Sequence, residues 1–305
     1  MKNQLKTPIL LILFNRPDCT AQVLDAVRSV QPKSLYIAID GPRKENGEDM
    51  RACQRVKELI ETIDWKCDVK TRIRKENLGC KYGPVDAIRW FFQHVNEGII
   101  LEDDIIPDMS FFYFCQGLLE KYRYDTHIGL ISGDNFIHNY TGRYSYFFSK
   151  YSQTNGWATW RRVWKLYDIH IKRWPEMKKA HLLDKLFPNI WTRVYWTLIF
   201  DAVYNNEIQS AWDYQWTFSS WVHGLFSIMP KTNLIRNIGF GRKDATHTKR
   251  INWISRIPVI PMKFPLVHPE QKVVDPAFDE LLQKRMYILW KELVMNPYRK
   301  WRTFL

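Results

Sequence analysis

The sequence predicts an α/β fold built on a mostly parallel sheet with helices on both faces. Short β-branched apolar runs alternate with amphipathic stretches over residues 8–133. The links between them carry turn residues and no low-complexity linker. Polar residues follow directly after the apolar runs, at the strand ends where such sheets bind ligands. A chain of 305 residues, 46% of them hydrophobic, has core enough for one large domain plus an extension.

The elements follow in order. Pro8 to Phe14 reads as a strand, and Pro17-Asp18 opens a helix to about Val30 with Val23, Leu24, Val27 and Val30 on one face. Leu35 to Ile39 is a second strand, stopped by the turn Asp40-Gly41-Pro42. A helix from Glu48 to Ile63 leads to a strand over 68–74, a loop over Glu76–Gly83, and a helix to His94. Ile99 to Leu101 is the fourth strand, and this βαβαβαβ order implies parallel pairing. Met109–Tyr124 reads as helix and Ile128–Gly133 as strand. Beyond Tyr144 the alternation weakens. The segment Gly156–Trp164 leads into a helix, with further helices near 178–186, 191–206 and 212–223 and a short strand at Leu225–Met229. After four prolines an amphipathic helix spans Pro276–Met295. Residues 1–250 are expected to form the main domain, dividing near residue 140, and 251–305 a basic helical extension.

Charge divides the chain the same way. Residues 1–140 hold 19 Lys+Arg against 20 Asp+Glu, whereas 141–305 hold 26 against 12, within a net charge of +13. Twelve of the 14 tryptophans fall in the second segment. A basic aromatic surface suits nucleic acid, anionic lipid or a phosphorylated glycan, and the plain alternative is a tryptophan core under a solvated basic surface. The tail 298–305 mixes cations with aromatics and is expected either to rest on a membrane or to dock on the core. No early segment has the pattern of a signal peptide, and the apolar run at 8–14 is too short to span a bilayer. Five scattered cysteines without a C-x-x-C pair suggest free thiols in a reducing compartment. The location expected is cytoplasmic, peripheral to the inner membrane's cytoplasmic face.

The acidic triplet Glu102-Asp103-Asp104 closes the fourth strand. Buried unpaired carboxylates cost several kcal/mol each, roughly as much as a severe core mutation, so a cation belongs beside them. A divalent ion bearing a phosphate group fits, held through one or two carboxylates. Arg16, Asp40 and the Asn77 loop fall at neighbouring strand ends and should share the rim. The chain has neither a P-loop nor a Gly-x-Gly-x-x-Gly turn, so nucleotide binding would use side chains and the metal.

With these residues in place, the strand order and the triplet resemble GT-A (Rossmann-like) glycosyltransferases, closest to the N-acetylglucosaminyltransferase I type and to bacterial surface-polysaccharide enzymes. The likeness covers roughly residues 8–250. It implies a Mn²⁺ or Mg²⁺ ligand at Asp104, with Glu102 and Asp103 toward the sugar or ribose, and Arg16, Asp40, Asn77 and Lys81 on the donor nucleotide. Gly239-Phe240-Gly241-Arg242-Lys243 and His247 resemble a family loop that closes over the donor phosphates, Arg242 and Lys243 meeting their charge and His247 the metal. Trp212-Asp213 resembles the pair in which the aspartate is the catalytic base, although Tyr214 and Gln215 stand where the family has a second aspartate and a tryptophan. An N-cap is the alternative role for Asp213. Trp157, Trp160 and Trp212 are candidate sugar platforms on the acceptor side.

The resemblance thus implies an inverting, metal-dependent transfer from a nucleotide sugar, with UDP-GlcNAc as the candidate donor and a glycan or lipid-linked acceptor as partner, and no nucleic acid. A nucleotidyltransferase acting on sugar phosphates is the alternative, although Asn15-Arg16-Pro17-Asp18 is not its glycine-rich loop. A non-enzymatic binder of nucleic acid or an anionic surface is the third reading, and it leaves the triplet unexplained.

Overall fold

A computed structural model describes residues 4–137, 140, 142–242, 244 and 253–287. The first half runs β1 (Ile9–Leu13), α1 (Pro17–Arg28), β2 (Ser34–Ile39), α2 (Gly47–Ile60), β3 (Asp68–Ile73), α3 (Gly79–His94) and β4 (Glu97–Glu102). Then come β5 (Ile105–Pro107), α4 (Met109–Lys121), β6 (Ile128–Ser132), β7 (Tyr146–Ser149) and β8 (Trp157–Trp160). Short helices α5 (Arg161–Trp164), α6 (Trp174–Lys179) and α7 (Leu182–Leu186) precede α8 (Ile190–Tyr204) and α9 (Asp213–Val222). The chain ends its described part with β9 (Phe226–Pro230), β10 (Ile235–Asn237) and α10 (Pro276–Met286).

Eight strands form one sheet in the order β3-β2-β1-β4-β8-β6-β9-β7. Only β8 and β7 run antiparallel to the rest. Every residue of β6 is buried, as a strand covered on both faces requires. The edge strand β3 is half-exposed and charged, which discourages further pairing. One expectation fails here: Trp157–Trp160 is a strand, inserted antiparallel between β4 and β6, and helix begins only at Arg161. Four residues buried on both faces carry no period by which strand and helix entrance differ. The helix expected after the 76–83 loop also starts early, at Gly79, whose φ of +74° is a backbone state that suits glycine.

Two hydrophobic clusters result. The first follows the sheet from Ile9 to Tyr167 and takes in Trp157, Trp212 and Trp216. The second joins α6 to α9 and includes Phe278 and Leu282 of α10. Asp279 of α10 accepts from Ser149 Oγ at 2.5 Å, and Gln283 accepts from Tyr151 at 2.6 Å, so the helix of the extension is built into the second core. Residues 288–305, including the end of the expected helix and the tail, lie outside the described residues.

Candidate functional site

Parallel pairing sets the site. β1 and β4 run in register, with Ile12 beside Glu102, so the chain just past β1 lies alongside 103–104. Arg16 Nη1 stands 3.3 Å from Asp103 Oδ1 and 3.1 Å from Asp104 Oδ2. Burial works against the guanidinium charge, but Asp103, Asp104 and Asp244 outweigh it and raise the Arg16 pKa. Burial raises Asp103 and Asp104 as well, against the pull of Arg16. Glu102 is pushed up to about 8, by burial first and then by Asp104, Asp103 and Asp213. The last contribution places Asp213 within electrostatic reach of the triplet. Asp213 is exposed and is the first residue of α9, with Trp212 at the N-cap position, so its role is not the cap. Tyr167 anchors that helix start by donating to the Trp212 carbonyl at 3.1 Å.

A second wall comes from β10, which pairs antiparallel with β5 just after the triplet. Ile238 N donates to the Asp104 carbonyl at 2.8 Å and Gly239 N to Asn237 Oδ1 at 2.8 Å. A Cβ on Gly239 would lie 3.0 Å from Asp104 Cγ and closer still to Oδ2, so the close approach admits only glycine. Arg242 then bridges Asp18 at 2.6 Å and Asp244 at 2.8 Å, and Arg16 Nε lies 3.7 Å from Asp244. The basic loop is thereby tied to both sides of Arg16. Lys243 and His247, expected at the phosphates and the metal, lie outside the described residues.

Three donor-side expectations change in meaning. Asp40 Oδ1 accepts from Gly41 N and Leu78 N, each at 2.9 Å. Its Oδ2 accepts from Gly79 N at 3.1 Å and Asn77 Nδ2 at 3.0 Å. Asn77 also donates to the Gly41 carbonyl at 2.9 Å. These groups clamp the second strand's turn to the start of α3, satisfying amides that a helix N-terminus leaves open. Asp40 and Asn77 are therefore positioning groups in this structure. Lys81 is buried on α3 and donates to Asn206 Oδ1 at 3.3 Å, and burial lowers its pKa. It serves the packing of α3 near the end of α8.

The acceptor-side tryptophans are a correction. Trp157, Trp160 and Trp212 are all buried. Trp157 stacks on Trp212 at 5.8 Å between ring centroids, and Trp216 packs 5.4 Å from Trp157. Trp160 sits in the same strand and donates to the Leu119 carbonyl at 3.3 Å. Trp157 and Trp212 have their faces taken by one another and by Trp216, and the Arg162 guanidinium lies 4.6 Å over the Trp160 ring, so none of the three offers a platform to a sugar.

Sequence reasoning passed over Asp18 and Asp244, which neutralise Arg242, and over Asp134 and Asn155. Asp134 follows β6, a strand parallel to β4, so the strand-end rule that selected Arg16 would have selected it too. Tyr287, just past α10, accepts from Gln153 at 2.8 Å and lies within electrostatic reach of Asp213 and Asp134.

Among the described residues, no three His, Cys, Asp or Glu side chains converge as metal ligands, and no helix is long and apolar enough to cross a membrane. The five cysteines are free. The fold is an α/β one of Rossmann-like kind, with its polar rim at the carboxyl ends of parallel strands. No protein-family model and no curated protein match the chain. Among solved structures it is similar to HddC from Yersinia pseudotuberculosis, at 9% identity and a TM-score of 0.33 over 55% of this chain and 84% of that one. It is also similar to the inositol-1-phosphate CTP transferase from T. maritima, at 11% identity and a TM-score of 0.28 over 55% of this chain and 76% of that one. Likeness at this level carries no activity across.

Proposed function

We propose that the chain is a metal-dependent, inverting glycosyltransferase that takes a sugar from a nucleotide donor. The observation that supports this most is the meeting of Arg16, Glu102, Asp103 and Asp104 with Asp213 at one rim. Asp104 suits a hard divalent cation, Mn²⁺ or Mg²⁺, because such ions take one or two carboxylates and complete their shell with phosphates and water. Asp104 Oδ2 meets Arg16 Nη1 at 3.1 Å and packs closely against Gly239. The ion, when bound, would neutralise charge developing on the departing diphosphate.

The chain's own groups supply the rest. Arg16 orients the Asp103 and Asp104 carboxylates, and Arg242 brings a second guanidinium to the same rim. Asp213, exposed at the start of α9, takes the proton of the acceptor hydroxyl as its oxygen attacks C1 of the donor sugar. UDP-GlcNAc is the donor to try first. A glycan or lipid-linked acceptor at the cytoplasmic face of a membrane suits the basic second half.

Thermal shift against a panel of nucleotides with Mn²⁺ tests metal and nucleotide together. Asp104→Ala is expected to abolish both donor hydrolysis and transfer. Asp213→Asn is expected to keep donor binding and lose transfer by a factor of about 10²–10⁴. Full transfer by Asp213→Asn would remove the base assignment, and a panel without any shift would remove the enzyme assignment. The second reading is a nucleotidyltransferase acting on sugar phosphates. Against it, α1 begins at Pro17 directly after Arg16 and leaves no room for a glycine-rich loop. Pyrophosphate release from a nucleoside triphosphate and a sugar phosphate would favour it.

A further inference from the structure

Positive charge is left over along residues 170–193, where six Lys and Arg stand against two Asp and Glu. The two acids are already matched. Asp184 takes Arg193 at 3.0 Å and His181 Nδ1 at 2.7 Å, and Glu176 lies 3.6 Å from Arg173. Lys178 reaches across to Asp201 at 2.8 Å. Lys179 at the end of α6 and Lys185 on α7 are exposed and make no ion pair among the described residues.

Apolar surface is left over in the same group of helices. α6, α7 and α8 pack on one another. The first turn of α8 is held against α7 by Arg193, which bonds Asp184 at 3.0 Å and the Pro188 carbonyl at 3.4 Å. Asn189 caps that turn by accepting from Trp191 N at 2.8 Å. From this secured turn Ile190 and Trp191 project into solvent, 53% and 65% exposed. An isoleucine and an indole side by side in water, next to unmatched lysines, mark a contact surface.

Their chemistry chooses the partner. Ile190 has no ring face, and one exposed indole is no stacking platform for successive bases. An indole with an aliphatic neighbour suits the headgroup boundary of a bilayer, where the ring is buried and its N–H stays wet. Lysines beside it meet anionic headgroups. The position is also apt. Tyr195, one turn on from Trp191 and so about 6 Å along the helix, packs 5.8 Å from the ring of Tyr287. Tyr287 in turn lies within electrostatic reach of Asp213.

We propose that Ile190 and Trp191, with Lys179 and Lys185 of the adjoining helices, form a docking surface for an anionic lipid bilayer. The two apolar side chains enter the headgroup region, and the lysines pair with its phosphates. The surface goes beyond the transferase reading and stands without it.

The test sediments the whole protein with vesicles of phosphatidylcholine, with and without phosphatidylglycerol. Wild type is expected to partition at least about tenfold more strongly onto the anionic vesicles and to lose that advantage as salt rises. Lys179→Gln combined with Lys185→Gln lowers this partition about tenfold, and Trp191→Ala does the same. All three side chains are exposed, so the variants should keep the wild-type melting temperature. Brominated acyl chains are expected to quench an indole in wild type and none in Trp191→Ala. Equal partition onto both vesicles overturns the surface. Partition or quenching that survives these variants also overturns it, since the contact then lies elsewhere in the chain. Binding to poly(U) RNA without binding to either vesicle overturns it too, and gives the face to nucleic acid. No sugar nucleotide or metal enters the assay, so failure here and failure of the transferase reading are separate results.

Discussion

Asp40→Asn distinguishes a nucleotide contact from a clamp inside the fold. The side chain keeps its shape and exchanges one acceptor oxygen for an NH₂ group. If that group replaces Oδ2, it faces Gly79 N and Asn77 Nδ2, whose bonds are now 3.1 and 3.0 Å. If it replaces Oδ1, it faces Gly41 N and Leu78 N, each at 2.9 Å. One backbone donor loses its acceptor in either orientation, Gly79 N or Gly41 N, because Leu78 N reaches both oxygens and Asn77 keeps the Gly41 carbonyl. At about 1–3 kcal/mol for a buried donor left unmet, and with solvent able to reach part of this half-buried turn, the expected loss is about 1–2 kcal/mol. Gly41 prevents easy relaxation, since a Cβ there would overlap the backbone of Glu76. Urea unfolding should show a lower midpoint at unchanged slope, and amide exchange at Leu78 and Gly79 should accelerate. A stability within about 0.5 kcal/mol of wild type, combined with a nucleotide affinity at least tenfold weaker, would refute the clamp and restore Asp40 as a ligand contact.

Two further perturbations probe other parts of the molecule. Gly239→Ala drives a methyl into the Asp104 carboxyl, an overpacking that costs about 1–3 kcal/mol, and calorimetry should show Mn²⁺–UDP binding at least tenfold weaker. Unchanged affinity would mean that Asp104 does not hold the ion. Asp279 has its pKa raised by burial to about 6 from an ordinary 3.8, so its contribution to stability is full below pH 4 and disappears as pH rises through about 6. Asp279→Asn is therefore expected to be more stable than wild type at pH 8, by at most about 3 kcal/mol, with the difference vanishing near pH 4. A difference independent of pH, measured by thermal unfolding across that window, would show that Asp279 is charged throughout.

The parallel half of the sheet was legible because each strand is a β-branched run that ends in a turn signal. Ile9–Leu13, Ser34–Ile39 and Glu97–Glu102 lie within a residue or two of where the apolar runs put them. The pieces that complete the rim were not legible. β5 and β10 are three residues each, too short for any period, and only their pairing defines them. β8 reads as a helix entrance because tryptophan, alanine and threonine carry no alternation when both faces are buried. At the site, a carboxylate after a strand looks the same in sequence whether it serves a ligand or the fold. Asp104 and Asp40 share that sequence position, and only the surrounding donors tell them apart. Asp40 has backbone amides around it, whereas the Asp104 carboxyl meets the Arg16 guanidinium.

The composition of the second half resolves into two separate facts. Its tryptophans turned inward: of those at 157, 160, 164, 174, 196, 212, 216 and 221, all are buried, and Trp191 alone is well exposed among the described ones. Its cations stayed outside, as along 161–193, where Lys178 pairs with Asp201 and Arg193 with Asp184 at the surface. A platform for single-stranded nucleic acid needs exposed rings beside the cations, because stacking supplies much of its affinity. The aromatic half of that reading is occupied here in holding α9 against β8, through Trp157, Trp212 and Trp216. On the proposed reading the rings act at one remove, by fixing where Asp213 stands. The prediction that follows concerns precision: loosening the stack with Trp157→Leu should lower transfer more than donor hydrolysis, because only transfer requires Asp213 at its exact distance from the acceptor. Equal losses in the two assays would mean that the stack supports the whole rim and not the base in particular.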